Sequence, residues 1–140
     1  MVVSLMTAGY SGTPLATKLG LKAGMRAWFD AMPPSVRAES DPLAVGLIEE
    51  HEAVAGLDAA HVFVTERAAL ERLLGGLRSL IRPAGQIWVS WPKKASKVPT
   101  DITEDVIRAV ALPIGLVDVK ACAVDATWSG LKLVIRKALR

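Results

Sequence analysis

Apolar and polar residues follow two rhythms along this chain, and the rhythms take turns. Leu70, Leu73, Leu74, Leu77, Leu80 and Ile81 recur at helical spacing, which predicts an amphipathic helix with Thr65 as its N-cap. Gly75 and Gly76 fall inside that stripe at about 1 kcal/mol each relative to alanine, so close packing against a neighbour is expected there. Before the helix, residues 59–65 hold the run His61-Val62-Phe63-Val64, which reads as a strand buried on both faces. After it, Pro83-Ala84-Gly85 turns the chain into a strand over 86–91. An earlier strand over 25–30 is entered from the turn at Lys22-Ala23-Gly24.

Shorter signals complete the order. Thr13 and Pro14 mark the N-cap and first position of a short helix that stops at Gly20. Residues 33–40 make one or two helical turns before Asp41-Pro42 ends them. Residues 46–54 are ambiguous in period and are read as an edge strand, because Glu49, Glu50 and Glu52 discourage further pairing. Asp101 with Glu104 forms a capping-box pattern for a helix carrying Ile102, Val106, Ile107 and Val110, which ends at Pro113-Ile114-Gly115. Val117, Val119, Ala121 and Ala123 then alternate with polar neighbours. Leu131, Leu133 and Ile135 do the same beyond a turn expected at Thr127-Trp128-Ser129-Gly130, so the two runs form an antiparallel hairpin.

Strands alternating with helices and closing on a hairpin predict an α/β fold. The expectation is a single domain over 1–140, a three-layer Rossmann-like, mostly parallel sheet with a C-terminal antiparallel hairpin and helices on both faces. Residues 1–12 are read as a flexible N-terminal segment, in which Tyr10, Ser11 and Gly12 form either a lid over the sheet end or an approach to the first helix and are expected to be ordered by packing. The reading depends on 25–30 and 86–91 running the same way in one sheet.

Composition narrows the function classes. A chain of 140 residues, 51% hydrophobic and 22% charged, suits one packed core, and the mean hydropathy of +0.35 favours a large buried fraction or self-association, with a homodimer as the expected form. No apolar run is long enough to span a bilayer and no signal-peptide pattern opens the chain, so a cytoplasmic protein without membrane contact is expected. The lone Cys122 excludes an internal disulfide, and His51 and His61 lack metal-ligand spacing. A net charge of +3 is mild, which ranks nucleic acid low among partners.

The strand over 25–30 ends at Asp30 and is followed by Ala31-Met32-Pro33-Pro34, where a dinucleotide-type fold keeps its glycine loop. Two prolines there have no N–H to offer a phosphate. The leucine-rich helix followed by Ile81-Arg82-Pro83-Ala84-Gly85-Gln86-Ile87-Trp88-Val89, with the closing hairpin, resembles class I methyltransferases. That resemblance implies Asp30, and Glu49 or Glu50, as contacts of S-adenosylmethionine, while the loop departs from the Gly-x-Gly it expects. Tyr10-Ser11-Gly12-Thr13-Pro14-Leu15, Trp88-Val89-Ser90-Trp91-Pro92-Lys93-Lys94, residues 101–106 and residues 124–132 together resemble a bacterial family, domain of unknown function 3052, nearly end to end. That likeness implies no particular activity, substrate or catalytic residue.

In open α/β sheets, ligands gather beyond the carboxyl ends of the parallel strands. Asp30, Thr65 and the loop carrying Trp91, Lys93, Lys94 and Lys97 should meet there, and the lysines favour a phosphate or carboxylate. Trp128 is a further candidate, able to stack on a ligand or partner beside the turn chemistry of Asp125, Thr127 and Ser129. The expected function is a non-catalytic module, without a cofactor, that binds an anionic small molecule or a protein. The alternative is a divergent S-adenosylmethionine-dependent methyltransferase, and the third reading is weak nucleic-acid binding.

Overall fold

The computed structural model describes residues 14–140 and contains one six-stranded sheet. Its strands are β1 (Arg26–Asp30), β2 (Ile48–Glu50), β3 (Leu57–Phe63), β4 (Ile81–Pro92), β5 (Leu116–Ala123) and β6 (Trp128–Ile135), in the order β2-β1-β3-β4-β6-β5. β2, β1, β3 and β4 are parallel, β6 runs antiparallel to β4, and β5 antiparallel to β6. β1 and β4 thus point the same way on either side of β3. The Thr13 cap, residues 1–12 and the Tyr10 to Gly12 segment lie outside the described residues.

Helices cover both faces, giving three layers. α4 (Arg67–Leu80) and α5 (Glu104–Ala111) pack on one face over Val62, Ile87, Val89 and Leu133. Leu70, Leu74 and Leu77 of α4 are fully buried, each worth about 1.5–3 kcal/mol relative to exposure. α1 (Leu15–Lys18), α2 (Pro34–Ser40) and α3 (Pro42–Val45) border the other face, over Ala27, Ala59, Phe63 and Trp88. The end of α1 is tied down at one atom: the Leu19 carbonyl accepts from both Gln86 Nε2 and Trp88 Nε1, each at 2.8 Å. A helix C-terminal carbonyl without an intrahelical partner is satisfied twice in this way.

Several local expectations need revision. Gly75 and Gly76 have nothing near the position of an added Cβ, so no neighbour packs on them. The glycine that close approach requires is Gly85, whose added Cβ would meet the carbonyl oxygens of Arg82 and Leu57 at 3.0 and 3.2 Å. It lies where β4 makes a bulge, the register stepping from Leu57–Ile81 to Ala59–Gln86. Ile81 belongs to β4, and Glu66 takes the N-cap position of α4 in place of Thr65, without a side-chain cap bond. Asp101 does not cap its own helix. Thr103 caps α5 by accepting from the Val106 N–H, and Asp101 accepts from the Arg67 N–H at 2.7 Å, serving α4 across the chain.

β2 is the edge strand expected from 46–54, although only three residues pair. Glu49 is held by Arg37 in a two-pronged pair at 2.7 and 2.9 Å, and Glu50 by Arg26 at 2.8 Å. Hydrogen bonding from Arg37 holds the Glu49 carboxyl below the usual carboxylate range.

Candidate functional site

The loops diverge beyond the carboxyl ends of β1 and β3, where the strand order reverses direction from β1. Such a switch point opens a crevice in doubly wound sheets. Here it is a cavity of about 380 Å³ walled by Asp30, Thr65, Glu66, Ala69 and Arg72, among others. Ligand pockets of drug-sized molecules run from roughly 300 to 1,000 Å³. Asp30 is placed by the last register position of β1, opposite Val62, and its side chain falls on the α4 side of the sheet by strand alternation. Among the described residues its carboxylate has no hydrogen-bond or ion-pair partner, and neither does the Arg72 guanidinium.

The loop after β1 turns without glycine. Ala31 adopts a φ of 56°, the left-handed region that glycine enters freely and alanine enters at about 1 kcal/mol or more. Pro33 and Pro34 then start α2. A glycine-like backbone turn is therefore present, with fewer amides to present to a ligand.

A second cavity of about 380 Å³ lies over the loop that follows β4. Its apolar walls are Trp91, Val98 and Ile102, and its rim carries Lys94 and Lys97. Neither lysine has a partner among the described residues, while Glu104 beside them is held by Arg108 at 2.7 Å. Lys97 is also left-handed, at φ 61°. The two cavities share a wall. Thr100 of the second donates its hydroxyl to the Thr65 carbonyl of the first at 2.6 Å, and the Asp101 N–H donates to the same oxygen.

The structure thus brings Asp30 and Thr65 into one cavity and places Trp91, Lys94 and Lys97 in the other. Lys93 and Trp128 line neither. Lys93 is half-buried, its N–H bonded to the Thr127 carbonyl at 2.7 Å. Trp128 packs edge-on against Phe63 on the opposite face, with ring centroids 5.2 Å apart. Asp125 does the turn work expected of it, accepting from the Thr127 and Trp128 N–H groups at 2.8 and 2.7 Å. Arg72 was not singled out from sequence, although its place three residues after Ala69 and one before Leu73 puts it at the edge of the buried stripe. No sequence signal identifies Thr100, because its partner lies 35 residues away.

No family model matches the chain, and no curated protein matches it significantly. Solved structures do. A SAM-dependent methyltransferase from Aquifex aeolicus is similar with a TM-score of 0.62 at 13% identity, covering 86% of this chain and 87% of that one. The fold is methyltransferase-like. Fibrillarin from Aeropyrum pernix, solved with natively bound S-adenosyl-L-methionine, has a TM-score of 0.53 at 12% identity, covering 90% and 70%. Magnesium protoporphyrin IX methyltransferase from Synechocystis, with bound SAM, has 0.56 at 11%, covering 88% and 74%. Two other neighbours are longer, and this chain spans 64% of one and 47% of the other.

These neighbours overturn the expectation of a fold without a cofactor. That expectation rested on the missing glycine loop. The crevice in this fold comes from strand order and diverging loops, both of which the chain keeps.

Proposed function

We propose that the chain is a divergent S-adenosylmethionine-dependent methyltransferase, with the cofactor in the cavity at Asp30 and Thr65. The observation that carries this reading is the charge pattern of that cavity at the switch point. Among the described residues it offers two unpartnered carboxylates, Asp30 and Glu66, one unpartnered guanidinium, Arg72, and the Thr65 hydroxyl. A zwitterionic amino-acid tail carries the complementary ammonium and carboxylate, and both contacts would be charge-assisted hydrogen bonds. When bound, S-adenosylmethionine supplies an electrophilic methyl group on a sulfonium. Asp30 would hold the tail ammonium, Arg72 the tail carboxylate, and Thr65 would orient the ligand from the β3 side.

The fit has one cost. Glu49 and Glu50 of β2, either of which the resemblance offers as the ribose contact, are already paired with Arg37 and Arg26. The second cavity, with Trp91, Lys94 and Lys97, is assigned to an anionic acceptor with an apolar body. A non-catalytic binding module draws less support, because the structural neighbours are methyltransferases. Within this fold we assign the chain to the domain-of-unknown-function 3052 family on its nearly end-to-end motifs.

Calorimetry with S-adenosylmethionine and with its demethylated product tests the reading. Binding by the wild type, weakened about tenfold or more by Asp30→Asn or Arg72→Gln, supports it; a tenfold loss is about 1.4 kcal/mol. No heat at protein concentrations able to detect millimolar binding removes it.

A further inference from the structure

On the α1 side of the β5–β6 hairpin, lysines distant in sequence come together. Lys120 of β5 and Lys132 of β6 stand directly opposite in the ladder. Like charges in that arrangement destabilise a strand pair. Lys120 reaches across to the Lys18 carbonyl at 3.1 Å, and the Lys132 ammonium lies 3.8 Å from where a Cβ on Gly20 would stand. Burial together with Lys120 and Lys22 lowers the Lys132 pKa, and among the described residues no carboxylate pairs with it. Further along the same face, the charges acting on the Cys122 thiol come from Lys18, Lys120 and Lys93. Trp128 shares the face of Lys132 by strand alternation and stands half-buried beside Lys93.

We propose that this stripe, from Lys22 through Lys132 and Lys120 to Lys93 and Trp128, binds the phosphodiester backbone of a single-stranded nucleic acid. The Asp125 carboxylate at the Trp128 end is engaged by the Thr127 and Trp128 N–H groups; the row of cations beyond it is compensated by a polyanion, and a narrow row follows one backbone. The aromatic at its end adds a stacking surface for a base, the combination that single-strand binders use. The cross-strand lysine pair is costly without a ligand and favourable with one. The site lies off both cavities and stands independently of the methyl-transfer reading.

Fluorescence anisotropy with a labelled oligouridylate of about 12 residues, titrated between roughly 50 and 200 mM salt, tests it. The wild type is expected to bind, with affinity falling steeply as salt rises. The Lys22→Gln, Lys120→Gln, Lys132→Gln variant is expected to lose more than about tenfold in affinity, and its log–log salt slope to shrink by about 2, at roughly 0.7 per phosphate contact on a single strand. Lys137→Gln, an exposed lysine outside the stripe and both cavities, is expected to bind as the wild type does. No anisotropy change with the wild type at about 50 mM salt overturns the proposal, as does a triple variant with unchanged affinity and slope. Binding to phosphatidylserine vesicles without binding to the oligomer also overturns it. Circular dichroism of the triple variant checks folding, which relief of the lysine repulsion should leave intact.

Discussion

His61 is a buried base held neutral. Its Nε2 lies 2.7 Å from the Ser90 hydroxyl, its ring stacks on Phe63 at 4.3 Å, and burial pushes its pKa down to about 3. The unfolded chain takes up a proton near pH 6.5, well before the native state does. Between those values the unfolded state binds more protons, so stability falls as pH drops through that window. The expected slope is up to about 1.4 kcal/mol per pH unit. Urea unfolding of the wild type and His61→Gln at pH values from about 5 to 6.5 checks this, the variant giving the flatter dependence. Equal slopes would mean that His61 titrates normally in the folded protein. Ala31 offers a second residue-level test. Relief of its left-handed backbone by Ala31→Gly exceeds the added chain entropy of glycine, so a net gain of about 0.5 kcal/mol is expected in urea unfolding.

At the scale of elements, α4 shows how a local pattern can mislead. Its two glycines suggested contact, yet the helix surface there is open, so Gly75→Ala and Gly76→Ala should each stabilise by about 1 kcal/mol, read as a rise in melting temperature. Its N-terminus is served by Asp101, whose spacing from Glu104 had matched a capping box. The same carboxylate satisfied a local pattern in sequence and a tertiary donor in space. Asp101→Ala should cost about 1 kcal/mol, through α4 and not α5. Amide exchange that loosens first at 67–70 would confirm the assignment, and loosening confined to the start of α5 would refute it.

Across the whole molecule, what was legible in the sequence is what is periodic. The buried run of β3, the leucine stripe of α4 and the alternation in β5 and β6 each repeat a few residues apart, and those repeats gave the layers and the hairpin. The direction of β1 and β4 followed from alternating helices and strands. The site divided differently. Asp30 and Thr65 were readable because strand ends in this architecture converge, whereas separation of the lysine loop into a second cavity depends on Thr100 and Asp101 bonding to Thr65. The lysine stripe was beyond reach for the same reason: Lys22 and Lys132 approach only once α1 is fastened to β4.

That shared wall at Thr65 has a thermodynamic consequence. Thr65 walls the cavity at Asp30, and Thr100, a donor to its carbonyl, walls the cavity at Lys97. Were both proposed ligands to bind, any coupling through that wall would be reciprocal: the factor by which the first occupant improves or impairs the second would equal the factor by which the second alters the first.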